Sequence, residues 1–148
     1  MQGVIKAVCV SEKKGTEKRP VPEAHLTAHH GVDGDAHAGP WHRQVSLLSY
    51  EKVEEFNRLG AAVTDGAFGE NLLVSGIDFR SLPVGTIFTT EQTELRLTQI
   101  GKECHSHCEI YKRVGTCIMP REGVFAEVLR GGTVRPGEIM RVRLPDGE

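Results

Sequence analysis

The opening stretch GVIKAVCVS alternates its side chains and is rich in valine, so it predicts a β-strand ending at the charged run EKKGTEKRP. The lysines of that run read as a solvated turn. Beyond Pro20 and Pro22, EAHLTAHHGVDGDAHAGPWHR has no steady hydrophobic period, and an irregular segment this long in a small domain is either functional or a flexible excursion. The strand-like QVSLLS follows. From Tyr50 to Leu59, Val53, Phe56 and Leu59 recur at i, i+3 and i+6, with Ser49 as a candidate N-cap and Gly60 as a stop, which predicts a helix. The glycine-spaced TDGAFGENLLVSG reads as a loop running into a strand that begins at Asn71 to Val74. IDFRSLPVGTIFTT and TELRLTQIG read as two strands, the first interrupted at Pro83 and Gly85. REGVFAEVLRGGTVRPGEIMRVRLP supplies two or three closing segments parted by GG and PG turns, of which EGVFAEVLRGG suits a strand or a short helix. No repeat or low-complexity tract interrupts the chain.

Composition narrows the picture. The 148 residues suit one core and one domain spanning 1–148. Aromatics are 5% and glycines number 17, which favours turns and short strands over long helices. The formal charge is −2 with no basic run, which argues against nucleic acid as a partner. No apolar stretch approaches the ~20 residues of a membrane span, and the start MQGVIKAVCV lacks a signal-peptide pattern, so a cytoplasmic location with reduced thiols is expected for Cys9, Cys104, Cys108 and Cys117.

Chemistry concentrates in CHSHCEIYKRVGTC. A thiolate is both nucleophile and soft-metal ligand, and the neighbouring Lys102, His105, His107 and Lys112 offer the positive charge that lowers a thiol's pKa. Two plainer readings compete: three inert buried thiols, or a structural zinc site using the Cys104–Cys108 spacing. Zinc is disfavoured, because no second paired ligand element follows and a chain of this size folds without metal. The loop HHGVDGDAHAGPWHR places Asp33, Asp35, His37, His42 and Arg43 together, as a divalent-metal or phosphate site or as a solvated polar loop.

Taken in order, GVDGDAHAG followed by R-x-V-x-L-L-S, then FGENL, L-x-V-G-T-x-F, the cysteine segment, and GVFAEVL-x-GG-x-V-x-PG closely resemble the MOSC family, named for the C-terminal domain of molybdenum cofactor sulfurases. The likeness runs from Gly3 to Val142. It implies a mainly β fold, a MOSC-type β-barrel with a few peripheral helices, and a cleft whose cysteine carries sulfur or ligates molybdenum. Carried onto this chain, the pattern marks Gly34, Asp35, His37 and Arg43 in the first loop, and Gly69, Glu70 and Asn71 in the second. The reactive thiol, also the metal ligand, is Cys108 by its CEIY context or Cys104 by its spacing from Gln99, with His105 beside them. The remainder of the segment resembles a stand-alone subgroup associated with molybdopterin biosynthesis.

The resemblance therefore implies a sulfur-carrier or molybdopterin-binding domain with a persulfide or metal-thiolate at that cysteine, or a non-catalytic module that delivers the cofactor. Arg43 and the amides near Gly69 to Asn71 are the expected anion clamp, with loop ordering as a second role for Glu70. Sulfurase-like sulfur transfer is one activity the resemblance implies, and without a pyridoxal-phosphate domain the chain depends on a donor. A small-molecule pterin or sulfur donor, and a molybdenum enzyme or cysteine desulfurase, are the expected partners.

Overall fold

Strand alternation sorts the apolar side chains onto two faces. The computed structural model describes residues 1–13, 18–58, 60, 65–66, 68–101 and 123–145. In β1 (Gln2–Val10), β5 (Val45–Ser49), β6 (Leu72–Ser75) and β9 (Val124–Arg130), successive residues enter different cores. Val8, Leu47, Leu72 and Val124 join one cluster, whereas Cys9, Leu48, Leu73 and Phe125 join another that includes Val53 and Phe56 of helix α1 (Tyr50–Arg58). A period of two makes this division unavoidable once both faces are covered. Each fully buried Leu or Phe side chain contributes about 1.5–3 kcal/mol, so shape is held by apolar packing.

The first cluster fills a closed barrel. With β7 (Ile87–Thr89), β8 (Glu94–Ile100) and β11 (Ile139–Arg143), the strands run in the order β11-β7-β8-β9-β5-β6-β1, and a β1–β11 pairing closes the ring. Neighbours are antiparallel except β5 and β6, which are parallel and joined through α1, since a parallel pair needs a crossover. The short β2 (Arg19–Val21) pairs with β1, and a separate small sheet of β10 (Gly132–Val134), β3 (Ala24–Thr27) and β4 (Gly31–Val32) packs against the ring, lending Leu26, Val32 and Val134 to the same core.

The mainly β expectation and the barrel are met, with α1 as the α-helix among the described residues. Three local readings change, and the fourth, left open between strand and short helix, is decided. Ser49 belongs to β5, and its hydroxyl donates to the Ile77 carbonyl at 2.5 Å. The histidine-rich stretch contains β3 and β4, too short to leave a period. Around Pro83 and Gly85 only Ile87–Thr89 is strand, preceded by a 3-10 turn at Phe79–Ser81. Residues 124–130 are strand, because both β5 and β8 offer ladder partners.

Candidate functional site

The second loop is organised by its own carboxylate. Glu70 is fully buried, its Oε2 accepting from the Gly66 N–H at 2.8 Å and its Oε1 from the Phe68 N–H at 3.1 Å. Burial pushes its carboxyl up to about 7, against the downward pull of the Gly66, Glu70 and Phe68 N–H groups. The other described amides are engaged as well: Gly69 N–H donates to the Gly66 carbonyl at 3.0 Å and Asn71 N–H to the Ser46 carbonyl at 2.9 Å. Gly66 holds φ +89°, and a Cβ there would lie 2.1 Å from the Lys18 carbonyl oxygen, so only glycine fits.

Asn71 is a fastener between strands. Its Nδ2 donates to the Cys9 carbonyl at 3.0 Å and its Oδ1 accepts from the Ser46 N–H at 3.0 Å, tying β1 to β5. Cys9 itself is fully buried, and burial, reinforced by the charges of Glu70 and Asp65, pushes its thiol up to about 12. Such a thiol is protonated and inert at neutral pH.

The first loop is anchored by a buried ion pair. Lys18 Nζ lies 2.8 Å from Asp35 Oδ1 and 3.1 Å from Oδ2, with both side chains almost wholly shielded. Asp35 also accepts from the Ser11 and His37 N–H groups at 3.0 and 3.1 Å. Burial alone would raise the Asp35 carboxyl, but the Lys18 ammonium and these N–H groups outweigh it and hold it below the usual carboxylate range. The solvated-turn expectation therefore fails at Lys18. Its N–H also donates to the Gly66 carbonyl at 2.8 Å, so Lys18 joins the two loops. His37 is partly buried, with Nδ1 3.8 Å from Asp35 Oδ2, and its carbonyl accepts from Trp41 Nε1 at 2.7 Å.

Arg43 lies on a different footing. Its guanidinium carbon sits 5.3 Å from the Phe125 ring centre and 6.0 Å from that of Trp41, while its Nε donates to Gln99 Oε1 at 3.1 Å. The exposed His42 shares that oxygen through Nε2 at 2.8 Å, and Gln99 Nε2 donates to the Gly101 carbonyl at 2.7 Å. The Thr98 hydroxyl, donating to the His42 carbonyl, fixes the loop to β8. Gly101 N–H in turn donates to the Gly123 carbonyl at 2.7 Å.

Asp35, Lys18 and Glu70 thus form one connected buried scaffold. Asn71 is bonded beside it, and Arg43 is brought to the end of β8. Gly69 lies between Glu70 and the bend at Phe68, with open space on its Cβ side, as has Gly34. Cys104, Cys108, Cys117, His105 and His107 lie outside the described residues, so the expected meeting of thiol and arginine is not observed directly. Among the described residues no group of three or more His, Cys, Asp or Glu side chains is placed to hold a metal ion. Lys18 and Gln99 were not singled out as site residues, whereas His42 was named with the first loop. Lys18 sits in a run of charge, and Gln99 reads as the polar end of a strand, so neither carries a local signal. An open groove of about 610 Å³ lies at the other end of β8, lined by Thr90, Glu91, Arg135, Glu138 and Arg141, and none of the predicted residues borders it.

Comparison with known proteins agrees with this architecture. The chain is 27% identical over 139 residues to the YflK protein of Bacillus subtilis (strain 168), covering 83% of this chain but only 60% of YflK. The YuaD protein of Bacillus subtilis superposes with a TM-score of 0.80 at 19% identity, over 96% of both chains. YiiM from Escherichia coli superposes with a TM-score of 0.66 at 19% identity, over 96% of this chain and 69% of YiiM. At these identities the structural likeness speaks for the fold. No helix among the described residues is long and apolar enough to cross a membrane. The MOSC domain profile matches residues 28–141, most of the barrel and both loops, and the chain belongs to the MOSC domain family.

Proposed function

We propose that this chain is a molybdenum-cofactor-related domain that carries sulfur or binds cofactor through a thiolate at Cys108 or Cys104. The observation that carries the reading is the contact of Arg43 with Gln99, close before the segment holding both thiols. The Gly101–Gly123 hydrogen bond makes that segment leave and rejoin the barrel at one place. Covalent reach of about 3.6 Å per residue then keeps the Cys104 Cα within about 11 Å of that of Gly101.

The donor set suits an anionic pterin at Arg43. The loop amides from 66 to 71 that are described already have partners, which leaves the Arg43 fork, with its Nε held, as the group that would bind a phosphate. When bound, the cofactor would supply that phosphate and a molybdenum centre for which a thiolate is a suitable soft ligand. His105 and the neighbouring lysines favour the thiolate form.

For sulfur carriage the working thiolate attacks the outer sulfur of a donor persulfide. The new bond joins Sγ to that sulfur, the donor's S–S bond breaks, and the donor departs as a thiolate carrying the electron pair. A cysteine desulfurase in the cytoplasm is the partner class this requires, and a molybdenum enzyme is the receiver.

Intact mass after incubation with a cysteine desulfurase and cysteine, with and without molybdopterin, tests the reading. A gain of one sulfur, lost in Cys108→Ser or Cys104→Ser, is expected of a carrier. A retained pterin without added sulfur identifies a delivery module instead, a chain that gains neither contradicts both readings, and a melt that a chelator leaves unchanged rules out a structural zinc module.

A further inference from the structure

We propose that Gln99 is the positioning residue of this site, holding His42 and Arg43 as one unit at the base of the cysteine segment and presenting His42 Nδ1 as a hydrogen-bond acceptor. The inference rests on the Arg43 reading above but makes its own structural claim. Three bonds carry it. Gln99 Oε1 accepts from Arg43 Nε at 3.1 Å and meets His42 Nε2 at 2.8 Å, while its Nε2 donates to the Gly101 carbonyl at 2.7 Å.

The amide orientation is fixed by chemistry. The Gly101 carbonyl accepts only, so the Gln99 NH₂ must face it, and the oxygen must face Arg43 Nε, which only donates. With the oxygen so placed, His42 Nε2 has to be the protonated nitrogen. In the neutral ring the lone pair then belongs to Nδ1, which no described group occupies. Arg43 thus offers a fixed positive charge and His42 an acceptor beside it, a pairing suited to a ligand that carries an anionic oxygen next to a proton donor, as a hydrogen phosphate ester does.

The backbone supports a built feature. The β8–β9 register pairs Leu97 with Ala126 but Gln99 with Phe125, so one extra residue is accommodated at Thr98. A bulge of this kind re-aims the next side chain, and here it carries Gln99 to the loop that holds His42 and Arg43.

Nuclear magnetic resonance of the full chain, labelled with ¹⁵N in arginine and histidine, tests the claim without any ligand. At a pH where His42 is neutral, wild type is expected to show slowly exchanging Arg43 Nε–H and His42 Nε2–H signals and an unprotonated Nδ1. In Gln99→Leu both signals should be lost to fast exchange together while the backbone fingerprint of the barrel persists. In Gln99→Glu, whose carboxylate accepts from both donors, they should return. Signals that survive in Gln99→Leu, or a protonated Nδ1 in wild type, would overturn the assignment. If Gln99→Leu does not fold, the wild-type spectrum decides: an Arg43 Nε–H in fast exchange or a protonated His42 Nδ1 refutes the proposal. A parallel titration with molybdopterin separates the two readings, since a wild type that shows the signals but binds no pterin sinks the cofactor reading and leaves Gln99's role standing.

Discussion

Asp35 and Arg43 stand on one loop, yet their surroundings are opposites. Asp35 is shut in with Lys18, every oxygen bonded, in contact through Lys18 with the loop that Glu70 orders. Arg43 lies partly exposed over Phe125 and Trp41, tethered by one nitrogen and beside the exposed His42. Burial explains the division of labour. A carboxylate without water must be fully bonded and is then a structural element, whereas a tethered guanidinium keeps donors for something else. The motif residues are thus of two kinds, those that build the loops and those that face outward.

The sharpest way to break the comparison is at its buried end. Lys18→Met strands the Asp35 carboxylate, and removing one partner of a buried pair costs about 3–5 kcal/mol. Chemical denaturation should show that loss, and a change under about 1 kcal/mol would mean the pair is not the anchor described. Within the second loop, Gly66→Ala should cost about 3 kcal/mol, since strain at positive φ adds to collision with the Lys18 carbonyl, whereas Gly69→Ala, with open space around it, should cost about 1 kcal/mol. Equal melting shifts for the two variants would contradict the loop packing.

A pH series sharpens the same point. The folded Glu70 carboxyl keeps its proton up to about 7, against an ordinary value of 4.5, so its contribution is complete below about 4.5 and is lost as pH rises toward 7. The loss is on the order of 3 kcal/mol, and Glu70→Gln, though less stable because its NH₂ faces an N–H donor, should flatten that slope. Asp35 runs the other way: its lowered carboxyl stabilises the fold above 3.8, and that stability disappears as pH falls through its folded value. At the exposed end, Arg43→Ala should change stability by less than about 1 kcal/mol while weakening molybdopterin binding at least roughly tenfold, as loss of a charged hydrogen bond implies. Calorimetric titration reads the second effect, and unchanged affinity would remove Arg43 from the site.

How much of this was legible beforehand follows from sequence distance. The periods of β1, β8 and α1 are local, and the order of glycine-rich motifs points to the family by itself. The inside of the site was not legible. Lys18 meets Asp35 seventeen residues away, Gln99 meets Arg43 fifty-six residues away, and neither partner alters the pattern around the other. Glu70 was readable as a loop-ordering group because its bonds are to Gly66 and Phe68, within its own turn. Strands β3 and β4 escaped because a few residues among histidines and glycines leave no alternation to count.

The proposal assigns reactivity to the cysteine segment that follows Gly101 and leaves the scaffold inert, and competitive alkylation with peptide mapping near neutral pH tests it most directly. Cys104 or Cys108 should be labelled first, with Cys9 protected until the protein unfolds, because Cys9 is fully buried and its thiol is pushed up to about 12. Labelling of Cys9 ahead of both, or of all four cysteines at equal rates in the folded protein, would contradict the account.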